Sequence, residues 1–316
     1  MKINRRSYSL IVSSDEKFIF NVGGTVSIFD ISGQTFKEFA RFNTLKNPSH
    51  IAVSTDHELI AYTNTSGHIA VHEITSKALV NKSKGISKEG YNLYFINENK
   101  QILSMDWGGN IFIFDINTSA TTILGTINTN SSNLIYISKN TYLVVGYNNE
   151  NKTEFHELTL TDESITKHLI CTATTNYMLE TVNWAKNEAN IIFVANDENI
   201  YKLMQYNIFT HEIVQLDISG LPKFGLNVHD DYGYFTCISL SNNGKYLLIG
   251  LINAILVIDF QTKKFLGMLK VNYLSSLNFI SSDDKVVIGT WSQIHIVPLK
   301  NMIDFSENDT TCNKVR

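Results

Sequence analysis

FIFNVGGTVSIFDI (18–31) and ILSMDWGGNIFIFDI (102–116) decide the fold. Each is an apolar strand, a tight Gly-Gly turn, a second strand, and an acid followed by Ile. Runs rich in β-branched and aromatic residues, broken by a Gly pair that tolerates positive φ, read as hairpins. The acid recurs as Asp30, Glu73, Asp115 and Glu157, at steps of 43, 42 and 42 residues. Asp259 closes the same phrase in VIDF, 102 residues after Glu157, which leaves room for two longer units. A period of about 40–45 residues implies four short strands per unit.

A second marker keeps the same beat. A short polar turn precedes each apolar strand, from Ser14-Asp15-Glu16-Lys17 and Thr55-Asp56-His57-Glu58 to Asn242-Asn243-Gly244-Lys245 and Ser282-Asp283-Asp284-Lys285, seven turns in all. Asn, Asp and Gly suit such turns because they accept the backbone angles required. The units run over about 7–42, 49–84, 91–128, 132–171, 180–218, 235–270 and 275–306. One unit cannot bury both faces of its small sheet, whereas seven packed radially can, leaving only short edges. The expected fold is therefore all-β, a seven-bladed β-propeller of four-stranded antiparallel blades over 1–306, with a polar tail at 307–316. Only about six residues precede the first strand, so the run Met302-Ile303-Asp304-Phe305 is expected to supply the last outer strand.

Composition agrees. The 316 residues include 37 Ile and 34 Asn but only 11 Ala, which favours strands over helices. A length prior of roughly 150 residues per domain would suggest two domains. The periodicity divides the chain by seven instead. A net charge of −4 gives no electrostatic footprint for nucleic acid. Lys2, Arg5 and Arg6 at one end, and Lys314 and Arg316 at the other, read as solvated termini. Cys171, Cys237 and Cys312 form no Cys-x-x-Cys and no disulfide framework, which fits a reducing compartment. The apolar stretch after Arg6 is too short for a signal peptide, so a cytoplasmic location is expected. YLLIGLINAILVIDF (246–260) carries an uncharged run of about 13 residues, against the roughly 20 a spanning helix needs. It reads as strand-turn-strand, with no membrane association.

Over nearly the whole chain this pattern resembles the WD-repeat β-propeller family. The family's polar turn before the second strand is matched seven times. Its closing Trp-Asp is reduced to Phe29-Asp30, Phe114-Asp115 and Ile258-Asp259, with His72-Glu73 and His156-Glu157 elsewhere. Its Gly-His signature is absent, so its Asp-His-Ser/Thr-Trp network is not expected. His72 and His156 occupy equivalent positions and read as blade-packing residues.

With strands lettered A to D in each blade, D–A and B–C loops of a propeller share one face. That face is expected to carry Asp106 and Trp107, Tyr147, Tyr177, Met178, Tyr273 and Trp291. The long loop at 217–235 joins them, with Phe224, His229, Asp230, Asp231 and Tyr232. Loops beyond about 12–15 residues are usually functional or disordered, and aromatics are enriched at interface hot spots. Adjacent residues on an extended segment point to opposite sides, so His229, Asp230 and Asp231 do not converge on one ion. No phosphate-binding loop, Gly-x-Ser-x-Gly or His-Glu-x-x-His occurs. The expected function is a non-enzymatic, monomeric scaffold binding a protein or peptide partner, without cofactor or metal. The alternatives are a lactonase- or dehydrogenase-like propeller enzyme, with Asp106, Asp197, His50 and His229 around the central channel, or a bacterial toxin-neutralising protein.

Overall fold

The computed structural model describes residues 1–83, 90–127, 130–138, 140–147, 150, 152–161, 164–172, 185–186, 189–197, 200–224, 232–280 and 282–303. Seven four-stranded antiparallel sheets form a seven-bladed β-propeller with almost no helix. Blade 1 comprises Ser9–Val12, Phe18–Val22, Val26–Asp30 and Lys37–Phe42 as strands A to D. Blade 2 comprises Pro48–Val53, Leu59–Asn64, Ile69–Glu73 and Leu79–Lys82. Blade 3 comprises Gly90–Ile96, Gln101–Asp106, Asn110–Asp115 and Thr121–Thr126. Blade 4 comprises Asn130–Ser138, Thr141–Tyr147, Thr153–Leu160 and Ile165–Thr172. Blade 5 comprises Ala185–Lys186, Asn190–Asp197, Ile200–Asn207 and Ile213–Gln215. Blade 6 comprises Phe235–Leu240, Tyr246–Leu251, Ala254–Asp259 and Lys264–Lys270. Blade 7 takes Leu274–Phe279, Lys285–Thr290 and Ile294–Pro298 as strands A to C. Two compact units divide these: Met1–Ile19, Asp30–Lys37 and Leu179–Arg316 in one, Phe20–Phe29 and Glu38–Met178 in the other.

In the first unit, blade 6 shows why its B and C strands are apolar without alternation. Leu247, Ile249, Leu251, Leu256 and Ile258 pack with Ile192, Val194 and Leu203 of blade 5. Leu248, Ile255 and Val257 pack with Leu274, Val286 and Ile288 of blade 7. Successive side chains leave a strand on opposite faces, and both faces are covered. Each such side chain contributes roughly 1.5–3 kcal/mol by burial. Among the described residues no helix is long and apolar enough to cross a membrane. The second unit repeats the arrangement, with Ala61, Val71, Ile102 and Phe112 joining blades 2 and 3. Leu103, Ile113, Leu134 and Val144 join blades 3 and 4.

The periodic polar residues are turn caps. In blades 1, 2 and 6 a Ser follows strand A directly, and its hydroxyl accepts the backbone N–H of the first strand-B residue: Phe18 to Ser13 at 2.9 Å, Leu59 to Ser54 at 2.8 Å, Tyr246 to Ser241 at 2.8 Å. The same hydroxyl donates to Asp15, Asp56 or Asn243, and Glu16, His57 and Gly244 follow at positive φ. The acid that closes strand C caps the next turn. Asp30 accepts Ser32 N–H, Asp115 accepts Asn117 and Thr118 N–H, and Asp259 accepts Thr262 N–H. The gap in the acid series is filled by Asn207, whose amide oxygen accepts Phe209 and Thr210 N–H, both at 2.9 Å. An Asx side chain does this work whether or not it is charged.

Closure differs from the expectation. Strand D of blade 7 is Lys2–Ile3, with Lys2 opposite His295 and Ile3 opposite Ile294. Two residues suffice as a closing strand, so the short N-terminal stretch is no obstacle. The C-terminal run instead forms the helix Lys300–Ile303, and Met302 is fully buried among Leu269, Val286 and Leu299. Its carbonyls lie where a Cβ on Gly267 would sit, 2.7 Å from Ile303 O and 2.8 Å from Met302 O. Met302-Ile303 is thus an apolar plug over strand D of blade 6, not a strand beside it.

This closure makes stability pH-dependent. His295 is 6% exposed beneath Lys2. Burial first, then the positive Lys2 and chain amino group, pushes its imidazole down to about 4. Burial pushes His50 down to about 4 as well. Unfolded histidine protonates near 6.5, so the unfolded chain takes up protons that the native one refuses. Stability therefore falls as pH drops from 6.5 towards 4, by on the order of 3 kcal/mol for His295. The urea midpoint is expected to fall between pH 7 and 4.5, and His295→Gln should flatten that fall. An equally steep profile in the variant would contradict this assignment.

Candidate functional site

The B–C turns are built by the last residue of strand B. In blade 3 Asp106 is 1% exposed, and its carboxylate accepts Gly108 N–H at 2.8 Å, Asn110 N–H at 2.9 Å and the Asn110 side-chain amide at 2.9 Å. In blade 2 Asn64 accepts Ser66 N–H at 3.2 Å and His68 N–H at 3.0 Å. In blade 7 the Thr290 hydroxyl accepts Ser292 N–H at 3.3 Å and Gln293 N–H at 3.0 Å. The cap faces inward, so the next residue stands at the turn apex. That residue is Trp107 in blade 3, 56% exposed, and Trp291 in blade 7, 48% exposed.

In the first unit Trp291 belongs to a continuous patch. Its ring stacks on Tyr273, with centroids 5.3 Å apart and planes 18° apart. Trp291 N–H also donates to Tyr273 O at 3.1 Å. Tyr273, 57% exposed, holds φ at 54°. A bulky residue in the left-handed region is an outlier that costs energy, and such outliers cluster at binding sites. Arg6 extends the patch: its Nε donates to Trp291 O at 3.3 Å and its Nη1 to the Tyr8 hydroxyl at 2.9 Å. The guanidinium lies 5.7 Å from the centre of the exposed Tyr8 ring. The result is an aromatic surface with one cation, suited to large flat apolar contacts and to carbonyl or carboxylate acceptors.

Other expected residues are placed differently. Asp106 is consumed by its turn and offers no carboxylate to a partner. Phe224 is a core residue, 3% exposed, packed 5.7 Å from Tyr201 and joined to it by Tyr201 N–H donating to Phe224 O at 2.9 Å. It belongs to the core cluster shared by blades 5 and 6. Tyr232 is half-buried against the same cluster. Tyr147 ends strand B of blade 4. Its side chain and that of Asp197, with Tyr177, Met178, His229, Asp230 and Asp231, lie outside the described residues. His72 and His156 are buried in equivalent strand-C positions, at 4% and 3% exposure, as expected of packing residues. Arg6 and Tyr8 were missing from the expected face, since a short basic cluster near a chain end looks like a solvated terminus.

Among the described residues no group of three or more His, Cys, Asp or Glu side chains is placed to hold a metal. Burial pushes the Cys237 thiol up to about 12, which keeps it protonated and non-nucleophilic at neutral pH.

No protein-family model matches the sequence, and no curated protein matches it. Among solved structures, the fold is similar to hydrazine synthase of Kuenenia stuttgartiensis, with a TM-score of 0.70 at 10% identity over 93% of this chain and 96% of that chain. At that identity the likeness concerns the propeller architecture alone.

Proposed function

We propose that this propeller is a non-enzymatic, WD-repeat-like interaction module, acting in the cytoplasm as a monomer. It binds a partner protein or peptide through its D–A and B–C loops. The observation that carries this reading is the exposed Tyr273–Trp291 stack, held by a left-handed Tyr273 and extended by Arg6 and Tyr8. Trp, Tyr and Arg are the residues most enriched at binding hot spots. A strained backbone that presents an aromatic ring to solvent contributes nothing to the core. Support for the WD-repeat likeness comes from the polar A–B turn, repeated seven times in the sequence, and from the Asx-capped C–D turn of blades 1, 3, 5 and 6.

The test is affinity capture from the native cell with mass spectrometry, using wild type and the Trp107→Ala/Trp291→Ala double variant as baits. The expected result is a stoichiometric partner retained by wild type and lost from the variant, with thermal unfolding nearly unchanged. Equal recovery by both baits would refute the site. A pulled-down small molecule or metal in place of a protein would refute the class of function.

A further inference from the structure

The second unit carries a cavity of about 750 Å³ at the A–B turn end of blades 2, 3 and 4. That size lies within the usual range of small-molecule sites. Its aromatic lining is Phe95 and the cluster Tyr94, Tyr136 and Tyr142, whose ring centroids lie 5.7–6.4 Å apart. Tyr136 is 45% exposed. Tyr94 is fixed, because its hydroxyl donates to Leu134 O at 2.8 Å. Tyr142 is only 3% exposed, and its ring packs against both Tyr94 and Tyr136 along the cavity wall. Its hydroxyl is not among the buried polar atoms left without a partner, so what it offers the cavity's occupant is one ordinary hydrogen bond.

The rim adds Thr55, Asn97 and Asn140 as neutral polar groups. Its two charges neutralise one another, with Lys100 Nζ 2.8 Å from Glu98 Oε2. Asn97, Glu98 and Asn99 follow one another at φ of 49°, 55° and 63°, and Asn99 is tied to Asp56 of blade 2 at 2.9 Å. The rim is therefore braced across two blades.

These features select a class of ligand. The rings are inclined by 36°, 57° and 70°, so no parallel pair makes a slot for a planar base. The paired rim charges give no net field for an ionic ligand. Aromatic faces that attract C–H groups, ringed by amides and hydroxyls, suit a neutral polyhydroxylated molecule with an apolar face. We propose that the Tyr94–Tyr136–Tyr142 cavity binds a small neutral carbohydrate of about disaccharide size, independently of the aromatic patch of the first unit.

The test is saturation-transfer NMR on the full chain with maltose, cellobiose and N,N′-diacetylchitobiose, and with AMP and tetramethylammonium as contrasting probes. Transfer to the ring protons of at least one disaccharide is expected, lost in Tyr136→Ala and weakened about 2- to 10-fold in Tyr142→Phe. Tyr136 is exposed, and Tyr142→Phe keeps the buried ring, so both variants should melt like wild type. Three outcomes would overturn the proposal: transfer to none of the disaccharides, equal transfer in Tyr136→Ala, or preference for AMP or tetramethylammonium.

Discussion

Gly109→Ala is expected to destabilise the protein by about 3 kcal/mol or more, whereas Gly24→Ala should change stability by less than about 0.5 kcal/mol. Both glycines sit second in a Gly-Gly pair of a B–C turn, and the two turns read alike in the sequence. The structure separates them. Gly109 holds φ at +77°, and an added Cβ would overlap the backbone carbonyl oxygen of Ile127. That carbonyl belongs to a residue with no exposure, whose own N–H donates to Gly109 O at 2.9 Å, so it has little room to yield. Gly24 is not at positive φ and has nothing within 4 Å of its would-be Cβ. The loss should lower the melting temperature of this 316-residue chain by about 4–5 °C or more for Gly109→Ala. Equal melting of the two variants would show that the blade 3 turn is not pinned as described.

The second large effect concerns binding. Trp291→Ala is expected to weaken partner affinity by more than about 2 kcal/mol, roughly 30-fold, while stability changes by less than about 1 kcal/mol, since half of the side chain is already in water. Tyr273→Gly should separate function from folding still more sharply. It deletes the stacked ring, yet it also relieves a left-handed residue at φ 54°, a conformation that costs roughly 1–2 kcal/mol for a side chain with a Cβ. Melting temperature should therefore hold or rise as affinity drops, checked by calorimetry and titration of the captured partner. Parallel losses of both would mark the stack as structural.

The blade architecture is legible in the sequence because the same local chemistry recurs from blade to blade. Ser13, Ser54 and Ser241 start equivalent turns, and Asp30, Asp115 and Asp259 cap equivalent ones, so the period appears directly in residue type. The fifth beat is hidden only because Asn207 does with an amide what the others do with a carboxylate. Trp107 and Trp291 are legible as exposed for a related reason: tight turns push their apex residue outward.

What depends on long-range packing is not legible. Phe224 looks like a loop aromatic until Tyr201 and Phe235 are seen around it. Asp106 looks like a surface acid until its three donors are placed. Arg6 and Tyr8 lie more than 260 residues from Tyr273 and Trp291 in the chain, so only the fold brings them into one patch. The tyrosine cavity likewise draws on three blades, and none of the repeat's polar markers singles out its tyrosines.

The central claim is that a partner docks on the D–A and B–C loops. Hydrogen–deuterium exchange of the free chain and of the chain bound to its captured partner tests it most directly. The account predicts new protection at 6–8, 272–275 and 290–293, with the A–B turns at 54–58 and 97–101 unchanged. Protection confined to those A–B turns, with none around Tyr273 and Trp291, would contradict it.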